Sequence, residues 1–306
     1  MQQSSSHVCA ALDIGSNSFR LLIGTYRSHI NILRKELITV RLAEGLADSG
    51  IINKEAMERA IVALRSMASL LQEYNVQRVR ICGTEALRRA HNRNVLLSEC
   101  QKILGFPLEI IDGKQEAMLS QAGVFSGLTI PEDNTLIVDV GGGSSECIVS
   151  DTSQLSSVSL PLGAVSLTDS FFKNDSQTSD NIESAQSFVQ QVFSPYLMKI
   201  KPLVSTFVAC GGTATALASL HLGLEQYDEN LVQGATLTHE ELKDIFNSLL
   251  QLKAKERCQL PGLDQGRGEI LLGGALIFLV LQNFLQTGAM IISDRGLLEG
   301  IFLSQV

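Results

Sequence analysis

The feature that most constrains this chain is a hairpin signature that occurs twice. Leu12-Asp13-Ile14-Gly15-Ser16-Asn17-Ser18-Phe19-Arg20-Leu21-Leu22 is one copy. Val138-Asp139-Val140-Gly141-Gly142-Gly143-Ser144-Ser145-Glu146-Cys147-Ile148 is the other. Asp13 aligns with Asp139, Gly15 with Gly141 and Ser18 with Ser144, and apolar runs flank both turns. A single copy reads as an ordinary Gly-rich hairpin turn. Two copies with aligned Asp, Gly and Ser read as a duplicated functional element.

The chemistry of such a turn suits a phosphate. Small residues let an anion approach the backbone, and successive N–H groups can point at it. An Asp at the end of the first strand is placed to hold a divalent cation or its waters. Neither a Walker loop nor a Rossmann fingerprint is present. A third Gly turn, Gly211-Gly212-Thr213, follows an apolar strand and opens a helix. It is either a further anion site or a close-packed strand–helix junction.

Between the turns the pattern alternates between helix and strand, which predicts an α/β chain. Helices are expected at about 53–73, 94–104, 114–124, 182–200, 213–222, 239–252, 269–285 and 296–304. Strands are expected at 10–14, 20–25, 76–82, 108–112, 136–149 (a hairpin), 206–210 and 289–293. Pro195 predicts a kink or split in the 182–200 helix, and 169–181 reads as a surface loop. A chain of 306 residues favours two domains. The segment 129–134 reads as a linker, dividing the chain into 1–127 and 128–306.

Composition excludes several classes. Net charge is −8 and aromatic residues are only 5%, with no Trp. That argues against nucleic-acid polymers and anionic membranes, though not against an anionic substrate held locally. The apolar run 270–281 is too short for a span and predicts a buried helix. The N-terminus lacks a signal-peptide pattern. Six scattered cysteines and five scattered histidines offer no CxxC or HExxH spacing. These features predict a cytoplasmic protein.

Taken together, the two turns resemble the phosphate motifs of the exopolyphosphatase/guanosine pentaphosphatase (Ppx/GppA) family. Further segments resemble it in the expected order: Gly83-Thr84-Glu85-Ala86-Leu87-Arg88-Arg89-Ala90-His91-Asn92, Gly113-Lys114-Gln115-Glu116-Ala117, Cys210–Ala218 and Ser293–Gly300. Arg267-Gly268-Glu269 departs from the family's Arg-Ala-Asp, and Glu85 stands where a smaller residue is usual.

The resemblance implies two actin/hexokinase/Hsp70-like (ribonuclease H-like) α/β domains flanking a cleft. It implies a hydrolase releasing terminal phosphate from inorganic polyphosphate, from guanosine pentaphosphate, or from both. Mg²⁺ or Mn²⁺, a monovalent cation and a homodimer are expected with it. Glu116 becomes the base that activates water, although an acid in a helix's first turn is also favoured by the helix dipole. Asp13, Asp139 and Glu146 become the metal-facing carboxylates. Ser16, Asn17, Ser18, Arg20, Arg88, Gly141, Gly142, Gly143, Ser144, Gly211, Gly212 and Thr213 become the phosphate-binding set. Arg20 and Arg88 are phosphate clamps or, alternatively, salt-bridge partners. Thr84 shares a helical face with Arg88 or simply caps the helix. A sugar- or acetate-kinase-like phosphotransferase and a non-enzymatic nucleotide sensor are the competing functions for such a fold.

Overall fold

The computed structural model describes residues 7–150, 155–173, 177–263 and 266–306. They form two compact units, Met1–Ser126 with Gly296–Val306, and Gly127–Arg295.

The first unit opens with β1 (Cys9–Ile14), β2 (Ser18–Tyr26) and β3 (Ile30–Thr39). Then come α1 (Leu46–Ser49), α2 (Lys54–Glu73), β4 (Arg78–Gly83), α3 (Glu85–Arg89), α4 (Arg93–Leu104), β5 (Leu108–Ile110) and α5 (Gly113–Phe125). The sheet order is β3-β2-β1-β4-β5. The first three strands are antiparallel, and β4 and β5 run parallel to β1. All six residues of β1 are buried, as a continuous apolar run in mid-sheet requires. Helix α2 starts where Asn53 Oδ1 accepts the Ala56 N–H at 2.7 Å. It buries a stripe of Ala56, Ala60, Ala63, Leu64, Met67 and Leu71. Strand β3 was not expected from the sequence, because at an exposed edge its apolar and charged residues are mixed on both faces.

The second unit opens with β6 (Thr135–Val140), β7 (Ser145–Ser150), β8 (Leu155–Leu160), α6 (Ala164–Phe171) and α7 (Ser179–Ile200). It continues with β9 (Thr206–Cys210), α8 (Gly211–His221), α9 (Glu229–Val232), β10 (Thr236–Leu237), α10 (His239–Leu250), α11 (Ala254–Arg257), α12 (Arg267–Leu285) and β11 (Met290–Ser293). The sheet order is β10-β11-β9-β6-β7-β8. Read from β8 to β11, this repeats the strand order of the first unit.

The repeat extends to single residues. Asp13 sits opposite Arg20 in β2 and beside Cys82 in β4. Asp139 sits opposite Glu146 in β7 and beside Cys210 in β9. The duplicated signature is therefore a duplicated register.

Three expectations need correction. Helix α7 is unbroken through Pro195, and buried Phe193, Leu197 and Ile200 hold its last turns to the core. The loop expected at 169–181 is shorter, because α6 runs to Phe171 and Thr178 caps α7; its residues 174–176 lie outside the described residues. The last helix, α13 (Leu297–Leu303), belongs to the first unit, not to the second as a division at 127/128 supposed. The cause is close packing on α5. A Cβ on Gly123 would overlap the Gly296 carbonyl, and one on Gly300 would overlap the Leu119 carbonyl. Two glycines thus let the backbones touch. Lys35 pairs with the buried Glu299 at 3.2 Å and ties α13 to β3 as well.

Among the described residues, α12 alone is long and apolar enough to cross a membrane. Here 78% of that apolar window is buried inside the protein. A helix that is apolar on every side fits a core position, and α12 packs against α6, α7, α8 and α10.

Candidate active site

Both hairpin turns close in the same way. Gly15 N–H donates to the Ser18 carbonyl at 3.2 Å, and Gly141 N–H donates to the Ser144 carbonyl at 3.0 Å. A Cβ at Gly15 would lie 2.9 Å from the Ser18 carbonyl oxygen, and one at Gly141 would lie 3.1 Å from that of Ser144. The carbonyl side of each turn is pinned by the segment after the third strand. Ala43 N–H bonds the Ser16 carbonyl, and the Val40 and Arg41 N–H groups bond that of Asn17, at 2.7–2.9 Å. In the second unit Ala164 N–H bonds the Gly141 carbonyl, and Val165 and Ser166 N–H bond that of Gly142, at 2.8–3.1 Å. Both turns are thus held by backbone bonds, with carbonyls of Ser16 and Asn17 and of Gly141 and Gly142 occupied.

Asp13 is buried at the end of β1. Its neighbour Cys82 is fully buried, and desolvation pushes that thiol up to about 12, so it stays neutral beside the carboxylate. In the second unit the Asp139 carboxylate lies against Gly211. A Cβ there would overlap Asp139 Oδ1, and Gly211 has φ +81°, so glycine is required twice over. Glu146 accepts from Ser144 Oγ and from Ser159 Oγ, both at 2.8 Å. Among the described residues no group of three or more His, Cys, Asp or Glu side chains gathers into a metal cage.

The third turn is the junction between β9 and α8. Gly211 and Gly212 open α8, but the buried Thr213 hydroxyl donates to the Val140 carbonyl at 3.0 Å. Its proton is committed to joining α8 to β6, so Thr213 reads as structural. Arg267, which sequence reasoning left without a role, stacks its guanidinium over Gly212, where a Cβ would collide with it. Its position at the head of the apolar α12 was the available signal.

Glu116 lies in the first turn of α5. Asp112 caps that turn, accepting from Gln115 N–H at 2.8 Å while Gln115 Oε1 accepts from Asp112 N–H at 3.2 Å. Arg88 Nη1 donates to Glu116 Oε2 at 2.7 Å and to the Ile111 carbonyl at 2.9 Å. Arg88 is therefore bound to Glu116, the ion-pair alternative for this residue, and it fixes the carboxylate's direction. Thr84 makes no side-chain cap bond at α3, and Glu85 pairs at the surface with Arg89 at 3.4 Å.

One pair gave no sequence signal. Tyr227 donates to the Asp294 carboxylate across 67 positions. Burial and the nearby Asp294 charge raise the phenol's pKa, so it remains a donor.

A model of the Ppx/GppA phosphatase family matches residues 23–306. The chain belongs to this family. Exopolyphosphatase 2 of Mycobacterium tuberculosis is 31% identical, over 96% of this chain and 97% of its own length. A guanosine-5'-triphosphate,3'-diphosphate pyrophosphatase of Vibrio vulnificus is 32% identical over 98% of this chain, which spans 59% of that longer protein. The Ppx/GppA family member of Aquifex aeolicus superposes with a TM-score of 0.86 at 31% identity, covering 98% and 97% of the two chains. An exopolyphosphatase from Cytophaga hutchinsonii gives 0.87 at 25% identity with the same coverage. The architecture is the actin-like α/β fold of this Ppx/GppA family.

Proposed function

We propose that the protein hydrolyses terminal phosphoanhydride bonds, acting first on inorganic polyphosphate and second on guanosine pentaphosphate. The observation that carries this is the pair of register-equivalent Asp–Gly–Ser turns, each closed by the same Gly N–H to Ser carbonyl bond. Family membership narrows the anion to a phosphoanhydride. The order of substrates follows the relatives named exopolyphosphatase, at 31% identity in Mycobacterium tuberculosis and at 25% with a TM-score of 0.87 in Cytophaga hutchinsonii.

The turn amides hold phosphate oxygens, and the Glu116 carboxylate takes a proton from the attacking water. The water oxygen bonds to the terminal phosphorus as the bridging P–O bond breaks. Orthophosphate leaves, and the bridging oxygen stays on the shortened chain. Arg88 keeps Glu116 Oε2 in a single direction during this step.

The donor set fits a hard divalent cation. Asp13 in the first unit and, separately, Asp139 in the second each offer only oxygen, and Mg²⁺ or Mn²⁺ can be held by a single carboxylate that leaves the rest of its shell to water and substrate phosphate. That is compatible with the lack of a three-residue cage among the described residues. Such an ion supplies charge neutralisation on the phosphate oxygens. Glu146 supports it less directly, since two serine hydroxyls already use its Oε1.

The test is Mg²⁺-dependent phosphate release from medium-length polyphosphate, guanosine pentaphosphate and ATP, with wild type and Glu116→Gln. Release from either of the first two should fall ~10²–10⁴-fold in Glu116→Gln, the usual cost of losing a general base. Wild-type turnover in that variant rejects Glu116 as the base. Binding without release from any of the three rejects the hydrolase.

A further inference from the structure

Arg41 has a backbone that few arginines adopt. Its φ is +52°, in the left-handed region that disfavours any residue with a Cβ. It is held there from two sides. Its N–H donates to the Asn17 carbonyl at 2.7 Å. On the other side Arg59 donates through Nε to the Val40 carbonyl at 2.7 Å and through Nη2 to the Arg41 carbonyl at 3.4 Å. Arg59 is itself fixed by Glu44 at 2.6 Å. Strain of this kind persists only where the surroundings over-determine it, and it concentrates at ligand sites.

The backbone work alone would suit glycine at this position. What arginine adds is its side chain, which is exposed and forms no ion pair among the described residues. The second unit offers a control. There the turn carbonyls are pinned by Ala164, Val165 and Ser166 at the start of α6, with neither a left-handed residue nor a basic one. The cation is specific to the first turn.

We infer that Arg41 is a further substrate-binding residue, whose guanidinium engages the phosphate chain held at the turn Ser16-Asn17-Ser18. The inference rests on the function proposed above. A planar guanidinium matches phosphate oxygens in pairs, and the fixed backbone reduces the freedom lost when it does so.

The test compares Arg41→Gly, Arg41→Gln and Arg41→Lys in steady-state polyphosphate hydrolysis at several salt concentrations, with a thermal melt of each. Arg41→Gly relieves the strain, so its melting temperature should equal or exceed wild type. Its KM should rise about tenfold, the scale of one lost charge-assisted hydrogen bond. Its kcat should hold, and its KM should depend less steeply on salt. Arg41→Gln should raise KM equally, and Arg41→Lys should recover part of the loss. Wild-type KM and salt dependence in Arg41→Gly overturn the inference. So does a rise in Arg41→Gln that Arg41→Gly does not share, because that would be a backbone effect. If the wild type releases no phosphate, the functional reading has failed by itself. Calorimetry with inorganic tripolyphosphate then decides Arg41, and an unchanged Kd in Arg41→Gly overturns its role.

Discussion

Arg88 has two candidate partners, a substrate phosphate and Glu116, and the geometry favours the second. The decisive perturbation is Arg88→Met, which keeps the apolar stem and removes the charge. It deletes the 2.7 Å bond to Glu116 and the 2.9 Å bond to the Ile111 carbonyl. The side chains are 29% and 18% exposed, so this pair lies deeper than the surface ion pairs worth almost nothing. A hydrogen bond to a charged group contributes about 1.5–3 kcal/mol. If all of that is lost from transition-state positioning, kcat falls roughly 10- to 150-fold, at 1.36 kcal/mol per decade.

The assay is a double-mutant cycle with Glu116→Gln, measured as phosphate release from polyphosphate. A residue that acts through Glu116 has nothing left to position once the carboxylate is an amide. The double variant should therefore be no slower than Glu116→Gln alone. A residue that binds phosphate behaves differently: KM rises in Arg88→Met, and the two losses multiply. Multiplying losses with a raised KM would refute the positioning role and restore Arg88 as a clamp.

Two other outcomes follow from packing and burial. Gly300→Ala places a methyl group into the Leu119 carbonyl, so α13 must shift off α5. Overpacking of this kind costs about 1–3 kcal/mol, and a melt of the purified variant should show a lower first-unit transition, while an unchanged melt would refute the contact. Cys82 is fully buried with its thiol pushed up to about 12, which leaves roughly 10⁻⁴ of it as thiolate at pH 8. Iodoacetamide on the folded protein at pH 8 should modify the half-buried Cys258 first and leave Cys82 intact, as read by peptide mass spectrometry; early Cys82 labelling would refute that burial.

Local chemistry made much of the fold legible. Asn53 and Asp112 announce helix starts because a cap and its target lie three positions apart. The apolar stripe of α2 and the uniformly apolar α12 are likewise properties of contiguous sequence. What stayed hidden depends on partners far away in the chain. Strand β8 reads Leu-Ser-Ser-Val-Ser-Leu, with little to bury, and it becomes a strand because β7 offers an edge. Helix α13 has seven residues, and nothing in them states that α5 is the surface they fit. Resemblance places Thr213 in the phosphate-binding set, yet its hydroxyl donates to a carbonyl 73 positions away.

The two hairpins also differ where their equivalence matters most. Residues directly opposite across an antiparallel pair share a face with their side chains adjacent. Asp13 faces Arg20 there, whereas Asp139 faces Glu146. The first pairing offsets charge within the sheet. The second places like charges side by side, which is unfavourable unless other groups share the load. Part of the answer is visible: Ser144 and Ser159 both donate to Glu146. The Asp139 carboxylate itself lies against Gly211. With Arg41 beside the first turn and no basic residue among those pinning the second, the two copies differ in charge while they keep the same strand register. The first turn thus has an acid–base pair across its strands, and the second has two acids. A duplicated register can therefore carry different charge, because register is set by the strand backbone and charge by the side chains opposite and beside it.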